Sequence, residues 1–360
     1  MSRLWLAGVV FLTLPATTGG RTLQVPADYP TVRRAVYEAA DGDTVQLAAG
    51  TFVDRFTIGG NPLNNPNRNI VLRGVSRDAT ILDGSSATGN VVTLIGCQRS
   101  MIIEDMTITG GTFNRVSVES TGAAVYVNGG HPTIQRCNLV ENHGNAAGGV
   151  DIYFFSQPLI RDCIIAYNTG GGILIETDTG APGPAAEVRN NTIVRNQGGG
   201  ISVIKGARAL VENCTIAYNS ADGVSSEITQ GTGTAMCYVT VRRNIITHNG
   251  GGGIVRELTL GTCYTLECND VWGNAGVTGG VMGNYQGYSS GDPCFSGRGA
   301  GDVSFDPLYQ DVANDNFLLS GGSPLYQLCV PGSCGALGAD TDCADPVQSV
   351  TWSEVKALFR

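Results

Sequence analysis

Glu227 and Glu257 are the acidic residues whose placement first suggests joint chemistry. Each closes a short branched-chain segment after a glycine corner, VSSE ending at Glu227 and IVRE ending at Glu257. Val150, Ile173, Ile201, Val224 and Ile254 open equivalent segments. If these five point inward, strand alternation sends Tyr153, Glu176, Ile204, Glu227 and Glu257 outward in one column. Asp151, Leu174, Ser202, Ser225 and Val255 form a second outward column beside it. Lys205 and Arg256 are then expected close enough to modulate the acids. Paired carboxylates could share acid and base work on a glycosidic bond. Alternatively, carboxylates could hold Ca²⁺ while Lys205 or Arg256 abstracts the proton beside a uronate carboxylate, giving β-elimination. Ile204 interrupts the acidic column, and no tyrosine or histidine is placed as an obvious partner for Glu227. The catalytic candidates are therefore Glu227, Glu257, Lys205 and Arg256, the substrate-binding candidates Asp151, Tyr153 and Glu176. The plainer alternative is a solvated strand face.

Such columns exist only if the chain repeats itself, and it does. The phrases TIQRCNLVENHG, LIRDCIIAYNTGGGI, EVRNNTIVRNQGGGI, LVENCTIAYNSADGV and TVRRNIITHNGGGGI share one pattern. Its apolar column is Ile103, Ile134, Ile160, Val188, Val211, Val241 and Leu266, spaced 23 to 31 residues apart. That spacing suits a solenoid whose turns share a core and differ in their loops. Within each phrase the period is two, and the segments are short and branched, which favours strands. No L-x-x-L-x-L frame appears, and the repeat is too short for four-stranded propeller blades. Successive turns must stack in parallel. Asn142, Asn168, Asn196, Asn219, Asn249 and Asn274 recur at one corner, where side-chain amides can donate and accept along a column. The glycines just beyond are expected to adopt φ values that a β-carbon opposes. Five residues before each corner asparagine stand Cys137, Cys163, Asn191, Cys214, Asn244 and Asn269, a small inward site. For Cys137, Cys163 and Cys214 this predicts buried structural thiols rather than reactive ones. His131, His143 and His248 fall in turns, with His248 directed outward.

Composition narrows the partners. Lysine and arginine number 22 against 31 acids, a formal charge of -9, which disfavours nucleic acid or an anionic bilayer as main partner. Arg3, the apolar run Leu4 to Leu14 and the small residues after Pro15 read as an export signal over residues 1–21. Secretion, the cell surface or the periplasm follows as the expected location. No later run is apolar enough to span a membrane. Eleven cysteines in an exported chain permit disulfides, and their odd number leaves one thiol unpaired within the chain. No C-x-x-C pair suggests a metal cluster. The acidic stretch from Ala339 to Pro346 lacks the twelve-residue EF-hand frame.

The asparagine column, the I-x-x-C/N-x-I phrases and the opening LQVPADYPTVRRAVYEAADGDTVQLAAGTF together resemble the right-handed parallel β-helix family. This pectate-lyase-like superfamily includes polysaccharide lyases, epimerases and many secreted proteins. The resemblance covers about residues 22–325. It implies an all-β right-handed parallel β-helix solenoid with a short N-terminal capping helix, and a lateral face that binds extended carbohydrate. A helix from Thr31 to Ala40 would cover the first open rung, ahead of a strand at Thr44 to Leu47. Residues 326–360 are expected to form an irregular, disulfide-prone tail with Cys329, Cys334 and Cys343 and a short helix from Ser353 to Phe359. The paired aspartates, G-H-G and R-I-K of polygalacturonase-type members are incomplete here, and so is the basic strand set of pectate lyases. Family residue roles therefore do not transfer. A polysaccharide ligand leads, with Ca²⁺ as a conditional cofactor; a lyase or epimerase on uronate polymers and a non-catalytic surface scaffold are the alternatives. Insertions at Thr112 to Ala123, Thr177 to Ala185 and Thr229 to Cys237 would wall the groove. Tyr153, Phe154, Phe155, Tyr285 and Tyr288 would supply sugar-facing rings. The oligomeric state is left open.

Overall fold

The computed structural model describes residues 20–60, 68–112, 121, 123–177, 185–227, 236–257, 262–276, 283–288, 292–328 and 337–339. The export segment through residue 19, most of the three groove-wall insertions, Cys329, Cys334, Cys343, the acidic stretch beyond Ala339 and the helix expected from Ser353 lie outside the described residues.

Branched residues at alternating positions make short strands, and the asparagine corners end them before they can lengthen. One coil runs Thr133–Gln135, then Asn138–Val140, then His143–Tyr153, and the next begins at Leu159–Arg161. The three strands of each coil enter three different sheets, called first, second and third in that order. Among the described residues these hold ten, nine and nine strands. All pairings within them are parallel, and the coils wind as a right-handed β-solenoid. The expected apolar column is realised in register: Ile134 faces Ile103 on one side and Ile160 on the other. Val188, Val211, Val241 and Leu266 continue it. All but the partly buried Leu266 are sealed in one continuous core. Each buried isoleucine or valine there removes apolar area worth about 1.5–3 kcal/mol from water.

The asparagine ladder runs through the later coils of the stack. Each side-chain amide donates to the carbonyl oxygen of the next, from Asn142 to Asn168 at 3.1 Å through to Asn249 and Asn274 at 2.9 Å. The same oxygens also accept the backbone N–H of the asparagine before them. Asn284, absent from the expected column, accepts from Asn274 at 3.1 Å and ends the ladder. The second inward column ends likewise on Asp302, which accepts from Asn269 at 3.0 Å.

Of the glycines beyond the corner, Gly170 takes the expected left-handed backbone at φ 73°, whereas Gly198 to Gly200 have a different reason. Gly198, Gly199 and Gly200 are not left-handed; the positive φ belongs to the residue before each asparagine, such as Arg195 at 54° and Tyr218 at 55°. What Gly200 provides is room. A β-carbon there would stand 2.5 Å from Ile216 Cγ2 and 2.6 Å from the Gly223 carbonyl oxygen of the neighbouring coil.

The N-terminal helix spans Val32–Glu38, and the Thr31 hydroxyl accepts the Arg34 N–H at 3.2 Å as its cap. Val32, Ala35, Val36 and Ala39 bury against the first coil, as its helical spacing predicts. At the other end a disulfide joins Cys263 to Cys294. Beyond it a two-stranded hairpin, Tyr309–Asp311 with Asn316–Leu319, lies on the outside of the second sheet. Phe317 packs there over Val140, Ala166, Val194 and Ala217. The Tyr167 hydroxyl donates to Asp315 at 2.5 Å, and Arg195 pairs with the same carboxylate.

Candidate functional site

The third sheet sets both outward columns in the expected register. Glu176 lies opposite Ile204, and Ile204 opposite Glu227. Asp151 lies opposite Leu174, followed by Ser202, Ser225 and Val255. Rungs of about 4.8 Å bring side chains of adjacent coils into contact.

Arg256 departs from the expectation. It stands opposite Ser226 in an inward column and is 3% exposed. Its guanidinium donates to the Gly287 carbonyl at 2.9 Å and pairs with Asp292 at 2.7 Å, with Phe295 beneath it. The reason is the alternation itself: with Ile254 in and Val255 out, Arg256 must turn in, where Gly287, Asp292 and Phe295 meet it at the last coil. Glu227 and Glu257 are therefore left without it. Burial and the negative charges of Glu227 and Asp222 raise the Glu257 carboxyl above its usual range.

The groups that converge lie two coils earlier. Lys205 Nζ stands 2.7 Å from Glu176, both side chains partly exposed. Lys205 adopts a left-handed φ of 55° at the end of its strand, which aims its ammonium back toward the preceding coil. Beside this pair Asp151 is 1% exposed, and its Oδ1 has no hydrogen-bond partner among the described residues. Burial pushes its carboxyl up to about 7, helped by the Glu176 charge; the Thr121 hydroxyl and Lys205 oppose the shift without cancelling it. A carboxyl poised there can take up or release a proton near neutrality. Two rings flank it. Tyr126, in the coil before and opposite Asp151, stacks on Tyr153 with centroids 6.5 Å apart. Tyr126 is buried and Tyr153 half-buried, so exposure rises from Asp151 outward along this edge.

Asp151, Tyr153, Glu176 and Lys205 thus form one cluster; Glu227 lies one rung on, its carbonyl accepting the Lys205 N–H at 3.2 Å, and Glu257 a coil further. Tyr126 and Thr121 were not visible in sequence, because Tyr126 belongs to a coil whose phrase carries no asparagine corner and Thr121 borders an insertion. A second poised carboxyl was also missed. Asp270 is fully buried on the outer side of the second sheet under residues 303–309, and burial pushes it to about 7. Its Oδ1 accepts the Phe305 N–H at 2.8 Å.

Other chemistry-bearing residues are structural. Cys137, Cys163 and Cys214 are buried and form no disulfide, and burial pushes the Cys214 thiol to about 12. His248 stacks on Tyr218 at 4.6 Å and meets Trp272 edge-on, and burial lowers its pKa. On the first sheet the outward charges pair along the stack, Arg73 and Arg136 with Glu104, and Arg242 and Arg243 with Glu212. No three histidine, cysteine or acidic side chains converge to hold a metal ion among the described residues. Glu176 is paired with Lys205, and Asp151 is sealed behind it.

A solenoid of parallel coils with an internal amide ladder and a chemically furnished lateral face defines a class. Within it the chain belongs to the family described as the right handed beta helix region, whose model matches residues 49–204 and 178–291. No curated protein matches the chain. Among solved structures it is similar to the A-module of the Azotobacter vinelandii mannuronan C-5 epimerase AlgE6, at 20% identity over 68% of this chain and 72% of that one, with a TM-score of 0.45. A pectin methylesterase from carrot is 16% identical over 89% of this chain and 99% of its own, with a TM-score of 0.44. Pectate lyase Pel9A is 14% identical over 85% and 90%, with a TM-score of 0.47. None of them lends a residue role to this chain. No helix of the described residues is long and apolar enough to cross a membrane.

Proposed function

We propose that this protein binds an extended carbohydrate along the outer face of its third sheet, centred on Tyr153, Glu176 and Lys205. The observation that carries the reading is their convergence, from two neighbouring coils and a third one rung on, around the sealed Asp151. A half-buried ring and a partly exposed ion pair match a ligand whose units alternate C–H faces with hydroxyls. Isothermal titration against a panel of neutral and uronate oligosaccharides tests it. Wild-type binding that Glu176→Gln and Lys205→Met each weaken is expected; binding indifferent to both variants would place the ligand elsewhere.

Asp151 favours a second reading, that the bound polymer is also processed. A carboxyl that exchanges its proton near neutrality, beside a carboxylate and an ammonium, suits lyase or epimerase chemistry at the carbon next to a uronate carboxylate. Glu176, partly exposed, would take the proton from the substrate and pass it to the sealed Asp151 behind it, and Lys205 would orient the substrate. Uronate polymers incubated with the protein should develop the absorbance of unsaturated products, or exchange solvent deuterium into that carbon. Neither signal appearing, with binding intact, refutes catalysis and leaves the binding reading. Export is part of the same proposal, supported by the Leu4 to Leu14 run and by the Cys263–Cys294 disulfide.

A further inference from the structure

Phe154 and Phe155 stand at a corner that other coils give to glycine. Counted from the first inward residue of each third-sheet strand, the fifth position is Gly60, Gly96, Gly129, Phe154 and Lys205, all with positive φ. Their φ values are 83°, 67°, 62°, 48° and 55°. The sixth position is Gly130 in one coil and Gly206, at 85°, in another, yet Phe155 holds it at 52°. Thr177, in the coil between, is not left-handed. A left-handed residue brings its β-carbon against the following carbonyl, a cost that glycine avoids and a bulky ring does not. Two consecutive aromatic residues bear that cost here.

The core does not recover it. Phe154 is 41% exposed, one of the most exposed large apolar side chains described. The corner is nevertheless held firmly. Ser156 Oγ donates to the Tyr153 carbonyl and accepts the Gly130 N–H at 3.3 Å, fixing the turn to the preceding coil. Phe155 meets the Phe154 ring edge-on at 4.9 Å, and Phe154 lies 6.2 Å from Tyr153. The exposed ring is thus braced from behind and continuous with the Tyr153, Glu176 and Lys205 site.

We propose that Phe154, braced by Phe155, is a stacking subsite for one pyranose ring of the bound carbohydrate, adjacent to the unit at Tyr153 and Glu176. This rests on the carbohydrate reading of that site. The subsite selects sugar units that show an unbroken C–H face, because a hydroxyl projecting from that face would lose its hydration against the ring.

Strain makes the role separable from packing. Phe154→Gly removes the ring and relieves the backbone together, so stability and affinity should move differently. Melting temperatures of wild type, Phe154→Gly and Glu176→Gln are compared with titrations against hexasaccharides of cellulose, xylan, mannan, polygalacturonate and alginate type. The expected result is a Phe154→Gly melting temperature equal to or above wild type, with affinity for the bound hexasaccharide reduced about tenfold, the scale of one aromatic contact. Unchanged affinity in Phe154→Gly, while Glu176→Gln weakens binding, overturns the subsite and leaves the site. A steep fall in melting temperature overturns it too, since the ring would then be a packing residue. No binding by wild type to any of the five overturns the carbohydrate reading and the subsite with it.

Discussion

Replacing Asp151 with asparagine should stabilise the protein in a pH-dependent way. The amide would keep the shape of the side chain but could not ionise. In the wild type the carboxyl titrates at about 7 when folded, against an ordinary value of 3.8. The unfolded chain therefore gives up this proton first. The folded state is not penalised below about pH 4, and loses stability steadily as the pH rises toward 7. Above that the penalty is constant. The difference between about 7 and 3.8 corresponds to about 4 kcal/mol, at about 1.36 kcal/mol for each step of one in pH. Because Asp151 is buried, solvent screening reduces this little, and the groups facing it work in opposition: Glu176 raises the shift, Thr121 and Lys205 lower it. Asp270 has the same pH dependence but is present in both proteins, so it cancels in the difference. Denaturant unfolding of wild type and Asp151→Asn across the range from acid to mildly alkaline pH measures it. The two stability curves should converge near pH 4 and separate by up to about 4 kcal/mol above pH 7. Parallel curves would mean that Asp151 titrates alike in both states, and the reasoning that makes it a proton carrier would fail.

Asp270→Asn should show the same divergence, and combining the two substitutions should add their effects, since the groups lie on different sheets. Asn219→Ala interrupts the ladder where its amide serves four hydrogen bonds, with Asn196, Ile193 and Asn249 as partners. With several buried donors and acceptors left unpaired at about 1–3 kcal/mol each, thermal unfolding should show a loss of about 4 kcal/mol or more. Arg195→Ala removes one tether of the hairpin, its bonds to the Asp315 carboxylate and the Val312 carbonyl, and leaves the Tyr167 hydroxyl on Asp315. Limited proteolysis between residues 305 and 320 should accelerate while far-ultraviolet circular dichroism stays unchanged; an unchanged digestion rate would assign the docking to Phe317 and the Tyr167 and Thr247 hydrogen bonds instead.

The coils were legible from sequence because their determinants are local and repeat. Ile134, Ile160 and Val188 each sit at the same distance from a corner asparagine, so one correct alignment places the strands of the coils that carry that corner, both ladders and both outward columns. The site was legible only in part, because its members obey that repeat while its chemistry does not. Alternation alone should have turned Arg256 inward, but its charge argued for the surface, and only the closing segment with Asp292 makes an inward arginine tolerable. Asp151 was placed correctly, yet nothing local shows that it is sealed, since its cover comes from Tyr126 and Thr121 in a coil with a degenerate phrase. The Gly200 corner shows the converse. A glycine reads as a φ requirement from sequence, whereas here the constraint is the approach of the next coil, a property of stacking. Phe154 lies between these cases: its identity breaks the glycine column of Gly60, Gly96 and Gly129 in plain sight, but the break becomes meaningful only once the backbone is seen to stay left-handed beneath it. In a solenoid, then, deviations from the repeat are the better guide to function, and the deviations with a conformational cost are the ones to test first.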